Sequence, residues 1–408
     1  MRVLFAVHGY KPAWRVGGPI LSVSLLAEAL VRRGHEVIVF TSDSNLDQTL
    51  DVPTERPVDV DGVQVRYYRR WQPLRRFFPG VTYLSKSIGF LYSPHMAEAL
   101  DRVVPSVDVV HTHLPFNYPT YAAAHAAFAH GKPLFYHQRG VFDPERLKFR
   151  SLKKTLYLKL VEIPILRRAN TLIALTSAEV LTYRRLGVDT PCRVVPNGIG
   201  VPVRKPTAAD LLGPWGIKPE HKVVLFLGRI HPIKGADRLL EAFMRVHASF
   251  PDALLVLAGP DEFGLEAALR ERSEVLLRTK RIIFPGMVSG VLKAELLGRA
   301  DLFCLPSDAE GFSMAVLEAM AAETAVLLSP GCHFPEVEAC GAGVISDSAP
   351  EALTAALAKL LADPDSLESM GHAGARLVAE RYSVERTADL TLDAYRDGLD
   401  RFRAGRSG

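Results

Sequence analysis

Cysteine is scarce in this sequence. The 408 residues hold four, Cys192, Cys304, Cys332 and Cys340, none in a Cys-x-x-Cys pair and none beside histidines at zinc spacing. That argues against a disulfide scaffold or a structural zinc module and reads as small thiols in a reducing cytoplasm. Long apolar runs are also lacking. No stretch of 18 apolar residues occurs, so no membrane-spanning helix is expected. The apolar run at the start, Val3 to Val7, is too short to be expected to act as a signal peptide. No nucleophile, base and acid are arranged as a hydrolase triad. Acidic residues are missing from one long region: 62–97 contains none.

What is present is a soluble, globular balance, 48% hydrophobic and 23% charged, in a chain long enough for two domains of about 200 residues each. The net charge of +4 hides an asymmetry. Residues 1–200 carry 26 Lys and Arg against 16 Asp and Glu, whereas the rest carries 23 against 29. The first half is the one expected to meet an anionic partner.

Short runs of Val, Ile, Leu and Phe alternate with longer helical patterns. The runs 3–7, 37–41, 107–111, 134–136, 172–175 and 193–195 predict buried strands, with an amphipathic helix over 20–33 that ends at Gly34. The pattern restarts at 223–227, 254–258, 282–284, 302–305, 325–328 and 343–345. Continuous apolar strands alternating with helices predict parallel sheets covered on both faces. A Pro-rich stretch, Val201-Pro-Val-Arg-Lys-Pro206, reads as the linker. The expected architecture is therefore α/β, two Rossmann-like domains over 1–200 and 201–383, with ligands at the carboxyl ends of sheets facing across a cleft. A last helical pattern, 384–408, either finishes the second domain or packs back on the first.

Two loops of the second domain carry the chemistry. Gly228-Arg229-Ile-His-Pro-Ile-Lys234-Gly235 follows a strand, and its two cations suit a diphosphate. Pro306-Ser-Asp-Ala-Glu310-Gly311-Phe312-Ser313-Met-Ala-Val-Leu-Glu318 takes a strand through a tight turn into a helix expected over 312–322. Free amides and the dipole at that helix start favour an anion, and Gly311 permits close approach. Eight helical residues rise about 12 Å, so Glu310 and Glu318 can lie on either side of a diphosphate and accept hydrogen bonds from vicinal hydroxyls. A nucleobase contact is expected near Val288 to Leu292, a loop followed by a helix.

The Glu310-x7-Glu318 pair, with Gly228-Arg229…Lys234-Gly235 upstream, resembles the retaining GT-B glycosyltransferases of family 4. So do Gly17-Gly18, Gly34-His35-Glu36-Val37, Asp108-Val-Val-His-Thr-His113 and Val195-Pro-Asn-Gly-Ile199, in that order. The resemblance implies that Arg229 and Lys234 bind the donor diphosphate, that Glu310 binds the transferred sugar and Glu318 the ribose, and that the amides of Gly311, Phe312 and Ser313 face phosphates or sugar. It implies that Gly18 lets a loop close on the diphosphate, that His113 lies near the reacting carbon, and that transfer proceeds with retention, without a metal and without a cofactor beyond a UDP- or GDP-linked sugar. The turn Ser329-Pro-Gly-Cys-His departs from the family's glycine-rich version and accompanies His137-Gln-Arg139-Gly-Val-Phe-Asp-Pro, read as an acceptor-side loop with His137 and Arg139 as candidates.

In the acid-free region, Arg66, Arg69, Arg70, Arg75, Arg76 and Lys86 interleave with Tyr67, Tyr68, Trp71, Phe77, Phe78 and Tyr83, and a second basic run holds Arg146, Lys148, Arg150, Lys153, Lys154 and Lys159. Basic and aromatic residues together suit anionic lipid headgroups. No nucleic-acid module accompanies them, so no nucleic-acid partner is expected. The alternative is a solvated basic face with aromatics in the core. The leading reading is a transferase that moves a sugar to a lipid-linked or glycan acceptor in cell-surface polysaccharide or glycolipid synthesis, peripheral on the cytoplasmic face of the membrane. The alternatives are a sugar-nucleotide epimerase, a phosphorylase or a non-enzymatic sugar-nucleotide-binding scaffold.

Overall fold

A computed structural model describes residues 1–46, 48–71, 91–144, 152–200, 211–261 and 263–407. The expected linker 201–206 and Arg75, Arg76, Phe77, Phe78, Tyr83, Lys86, Arg146, Lys148 and Arg150 lie outside these residues, as does the side chain of Lys153. The chain divides into two compact units, 1–198 with 384–408, and 199–383.

The first unit holds β1 (Arg2–Ala6), β2 (Glu36–Ser42), a small ribbon of β3 (Ser44–Asn45) and β4 (Gln48–Thr49), β5 (Pro57–Val60), β6 (Val63–Tyr68), β7 (Val109–His113), β8 (Leu134–His137), β9 (Thr171–Ala174) and β10 (Cys192–Val194). Its main sheet runs β10-β9-β8-β7-β1-β2-β6-β5, parallel throughout except for the antiparallel β5–β6 edge. The inner strands β1, β7 and β8 are buried nearly end to end, which is why their sequences read as unbroken apolar runs. The strand expected at 107–111 sits two residues later. Val104–Ser106 forms a 3₁₀ turn around Pro105, and pairing with β1 begins at Val109. This shift puts His113 inside the strand's last pair, opposite His137.

The hairpin β5–β6 was not among the expected strands. Asp61 and Gly62 turn it with positive φ, +54° and +83°, the backbone that an Asp-Gly turn supplies. Its formation also decides part of the basic, aromatic region. Tyr67 and Tyr68 are buried, Tyr68 stacked on Phe40, and Arg70 pairs with Asp43 at 2.9 Å. These three belong to the fold, as the core alternative anticipates; Trp71 is exposed.

Helix Gly18–Arg32 packs beside the final helix, Val384–Ser407, which belongs to this unit. Arg32 pairs with Glu385, Arg33 with Asp389 and Arg193 with Asp397. Surface pairs of this kind contribute little; the apolar seam holds the helix, with Ala388, Leu392 and Tyr395 in the same core as Val3, Phe5 and Phe135. Gly398 is the tightest point, because a Cβ there would lie 2.5 Å from the Phe135 ring.

The second unit holds β11 (Lys222–Leu227), β12 (Ala253–Ala258), β13 (Ile282–Gly286), β14 (Leu302–Leu305), β15 (Ala325–Leu328) and β16 (Gly343–Ile345). The all-parallel order β13-β12-β11-β14-β15-β16 is the doubly wound one, and its order reverses between β11 and β14. The unit begins at Ile199, two residues before the boundary read from sequence. Among the described residues, no helix is long and apolar enough to cross a membrane.

Gly398→Ala tests the docking of the last helix. Alanine favours a helix interior by about 1 kcal/mol, but the overlap with Phe135 is expected to reverse the sign and cost about 1–3 kcal/mol. Urea denaturation measures it; a stabilised variant would show that the helix does not seat against β8.

Candidate functional site

The reversal point of the second unit is where the two expected loops meet. β11 ends at Leu227, and Gly228–Gly235 leave its carboxyl end; β14 ends at Leu305, and 306–313 leave beside it. The 306–310 stretch is fastened from both sides. The Asp308 amide donates to the Ile233 carbonyl at 2.8 Å, and Ser307 Oγ to the same oxygen at 3.1 Å. On the other side the Glu310 amide donates to the Gly331 carbonyl at 2.8 Å, and Ser329 Oγ donates to the Ser307 carbonyl. Arg238 spans the loop, giving Nη1 to Asp308 and Nη2 to the Pro306 carbonyl, at 3.0 and 2.7 Å.

Two glycines are required by this packing. A Cβ on Gly235, which has φ +73°, would lie 2.4 Å from the Pro306 carbonyl; one on Gly331 would lie 2.3 Å from that of Ser307. Three chain segments therefore share backbone contact. The Pro330-Gly331-Cys332-His333 turn, read from sequence as a departure, is one jaw of this clamp.

The charges follow from the clamp. Lys234, in the short 3₁₀ turn Pro232–Lys234, pairs with buried Glu310. Glu318, on helix Met314–Ala321, pairs with Lys293 at 2.6 Å. Lys293 sits on helix Gly290–Arg299, one position past Leu292, and buried Val288 precedes that helix. Gly228, Arg229, Lys234, Val288, Leu292, Gly311, Phe312, Ser313, Glu310 and Glu318 thus all belong to the second unit, around the β11–β14 crossover. The helix starts at Met314, not at Phe312. The Phe312 side chain is committed to an aromatic trio with Phe334 and Tyr382, at centroid distances of 5.0 and 5.3 Å, which holds 311–313 outside the helix. Ser313, its N-cap residue, makes no side-chain cap hydrogen bond.

The first unit brings together a second constellation, also at its sheet's reversal point, between β1 and β7. His111, His113 and His137 are all buried, and one nitrogen from each lies within 4.8 Å of the others. The histidine spacing gave no warning of this, because it arises from pairing between β7 and β8. Arg139, just past β8, donates Nε to His113 Nδ1 at 3.2 Å and Nη1 to Ser22 Oγ and Asn197 Oδ1, both at 2.8 Å. Tyr395 from the last helix bonds His111 Nδ1 at 2.7 Å. Phe5 packs edge-on against His111 and His113. Gly18 opens helix Gly18–Arg32, but the glycine-specific backbone falls one residue earlier, at Gly17, with φ +96°.

Sequence reasoning missed Lys293, Arg238, Ser22, Asn197 and Tyr395. Each acts on a residue 25 to 284 positions away, a separation that no local pattern marks. Lys293 alone had a local clue, as the next residue after the predicted base-contact segment.

Burial lowers His8 to about 4 and holds His111, His113 and His137 well below the ordinary imidazole value; the Arg139 guanidinium lowers the last three further. In the unfolded chain these rings protonate near 6.5. Below that pH the unfolded state binds more protons, so stability falls as pH falls. Between pH 7.5 and 5.5 each ring is expected to remove about 1 kcal/mol. Urea midpoints at the two pH values measure the loss, and a midpoint that rose on acidification would contradict neutral buried rings.

Residues 17–198 match the family model described as Glycosyl transferase 4-like domain, and residues 210–377 the one described as Glycosyl transferases group 1. The D-inositol 3-phosphate glycosyltransferase of Segniliparus rotundus is 35% identical over 212 residues, which is 50% of this chain and 47% of that protein. The alpha-maltose-1-phosphate synthase of Mycobacterium tuberculosis is 32% identical over 257 residues, 58% of this chain and 65% of that protein. The chain thus spans about half to two thirds of the length of the curated relatives it matches. Among solved structures, Anabaena Alr3699/HepE in complex with UDP and glucose superposes with a TM-score of 0.73 at 18% identity, covering 97% of this chain and 100% of that one. The chain belongs to the GT-B glycosyltransferases, with a glycosyl transferase 4-like domain followed by a group 1 domain.

Proposed function

We propose that the protein transfers a sugar from a UDP- or GDP-linked donor to a lipid-linked or glycan acceptor, with retention at the anomeric carbon. The observation that carries this reading is the pair of lysine–glutamate contacts, Lys234–Glu310 and Lys293–Glu318, placed eight residues apart along one loop and helix at the β11–β14 reversal. A sugar nucleotide presents hydroxyls at both ends and two phosphates between them. Glu310 and Glu318 supply acceptors for the hydroxyls of the sugar and the ribose. Lys234 and Arg229 supply cations for the diphosphate, and the uncapped start of helix Met314–Ala321 adds amide dipoles. Val288 and Leu292 flank the base. The similar HepE structure is described with UDP and glucose, which supports the same ligand class here.

The chemistry that follows is electrostatic. The bond from the anomeric carbon to the diphosphate breaks with its electron pair on the phosphate oxygen. Arg229 and Lys234 stabilise that charge, and the acceptor's hydroxyl oxygen forms the new bond on the same face while its proton passes to the departing phosphate oxygen. Groups fixed in advance by a clamped loop act without reorganisation at that moment. His113 lines the first unit's part of the reaction, near the reacting carbon, and His137 and Arg139 serve the acceptor side. No metal or further cofactor is assigned a role.

The acceptor is proposed to lie at an anionic membrane surface on the cytoplasmic side, in polysaccharide or glycolipid synthesis. Leu152, Leu156 and Leu160 are 84, 56 and 66% exposed, spaced four apart on one face, with Lys154 and Lys159 beside them. An apolar stripe bordered by lysines is the pattern of an interfacial helix.

Two experiments test this. Incubation with UDP- and GDP-sugars and a lipid-extract acceptor should move label into the lipid or glycan fraction, and Glu310→Gln and Lys234→Met should each lower the rate about 100-fold or more. Release of an epimerised donor without acceptor would overturn the transferase reading. The protein should also sediment with phosphatidylglycerol vesicles, less at high salt, and Leu156→Glu with Leu160→Glu should weaken this about tenfold or more; equal sedimentation of the variant would remove the surface role from this helix.

A further inference from the structure

We infer that Arg139 is an anchor for an anionic group, a phosphate or a carboxylate, carried by the acceptor. The assignment to the acceptor rests on the proposed reading of His137 and Arg139 as acceptor-side residues. Arg139 is only 6% exposed and has φ +52°, a backbone that costs a side-chain-bearing residue energy, and Gly140 continues it at +75°. The strained turn places a guanidinium within the histidine cluster at the end of β8. Its hydrogen-bond partners are all neutral: His113 Nδ1, Ser22 Oγ and Asn197 Oδ1. They engage Nε and Nη1. Among the described residues, no carboxylate pairs with it; Glu179 acts only through space, and its Oε2 accepts the Leu175 amide. Burial lowers Arg139 only to about 10, so the group stays a cation at neutral pH. A buried charge without a counter-ion is expensive, and an anion hydrogen-bonded to Nη2 would offset that cost through charge-assisted hydrogen bonds.

The surroundings select an anion over a cation. His113 accepts from Arg139 at Nδ1, so as a neutral ring it carries its proton on Nε2, which has no partner. His137 is neutral as well, and neither of its nitrogens has a partner, so whichever tautomer it adopts offers one N–H. The cluster is therefore rich in donors. A divalent metal among the three imidazoles would sit beside a guanidinium with no carboxylate to balance it and would compete for the ring that Arg139 already occupies. An anion needs neither change.

Inorganic phosphate is the probe, titrated calorimetrically into the full chain with and without saturating UDP or GDP, at constant ionic strength. Phosphate is expected to bind in the presence of the nucleotide, to weaken at least tenfold in Arg139→Gln and several-fold in Arg139→Lys, which keeps the charge but loses the Nη2 donor and the contacts that fix its place. Nucleotide affinity should stay within twofold in both, which also reports an intact fold. Equal phosphate affinity in the variants would mean an adventitious ion only and would overturn the proposal. Competition between nucleotide and phosphate would overturn the acceptor assignment, because the anion would then be the donor's. Should Arg139→Gln not fold, unchanged phosphate binding in Arg139→Lys overturns the proposal alone. If the wild type binds neither nucleotide but holds phosphate through Arg139, the donor reading fails and the anion anchor stands.

Discussion

The contact between Lys234 and Glu310 depends on backbone geometry that has little room to vary. A carboxylate this buried needs a cation and hydrogen bonds. The cation can reach it only because the 228–235 loop, the 306–310 loop and the 329–333 turn share hydrogen bonds at Ile233, Ser307 and Gly331. Gly235 and Gly331 remove the side-chain atoms that would hold these segments apart. Arg238 then ties the outer edge of the loop. The result is a carboxylate and a cation held in place at a helix start, at the point where a doubly wound sheet binds ligands. Preorganisation of this kind is what a displacement with a charged leaving group requires.

Much of this was legible in the amino-acid order. Buried parallel strands announce themselves as unbroken apolar runs, so all six strands of the second unit were found within about two residues. Glu310, Glu318, Arg229 and Lys234 could be named as candidates because they sit on local patterns, a loop after a strand and a helix start. What was not legible depends on side chains arriving from elsewhere. Lys293 lies beside Glu318 because two helices pack next to one another, and Arg238 reaches a loop 70 residues away. The β5–β6 hairpin was readable in principle, from Val-Asp-Val-Asp-Gly-Val-Gln-Val with its Asp-Gly turn, and was obscured by reading the same residues for charge. Once the hairpin is recognised, Tyr67 and Tyr68 alternate into the core and the surface aromatic signal shrinks.

The histidines make the complementary point. Singly, His113 and His137 read as site candidates at strand ends, and nothing in the order of residues joins them to each other or to His111. Parallel pairing of β7 with β8 sets His113 opposite His137, and alternation along β7 puts His111 on the same face. Three rings and one arginine then form a neutral-plus-cation cluster whose polarity neither β7 nor β8 reveals alone. The two units thus divide the chemistry: paired acids and lysines in one, an unbalanced guanidinium among imidazoles in the other.

The central claim is that the clamped loop of the second unit binds a nucleoside diphosphate through Lys234 and Arg229. Calorimetric comparison of UDP and GDP with their nucleosides tests it most directly. One of the two diphosphates is predicted to bind at least a hundredfold more tightly than its nucleoside, with most of that difference lost in Lys234→Met. Equal affinity for diphosphate and nucleoside, or a difference untouched by Lys234→Met, would contradict the account.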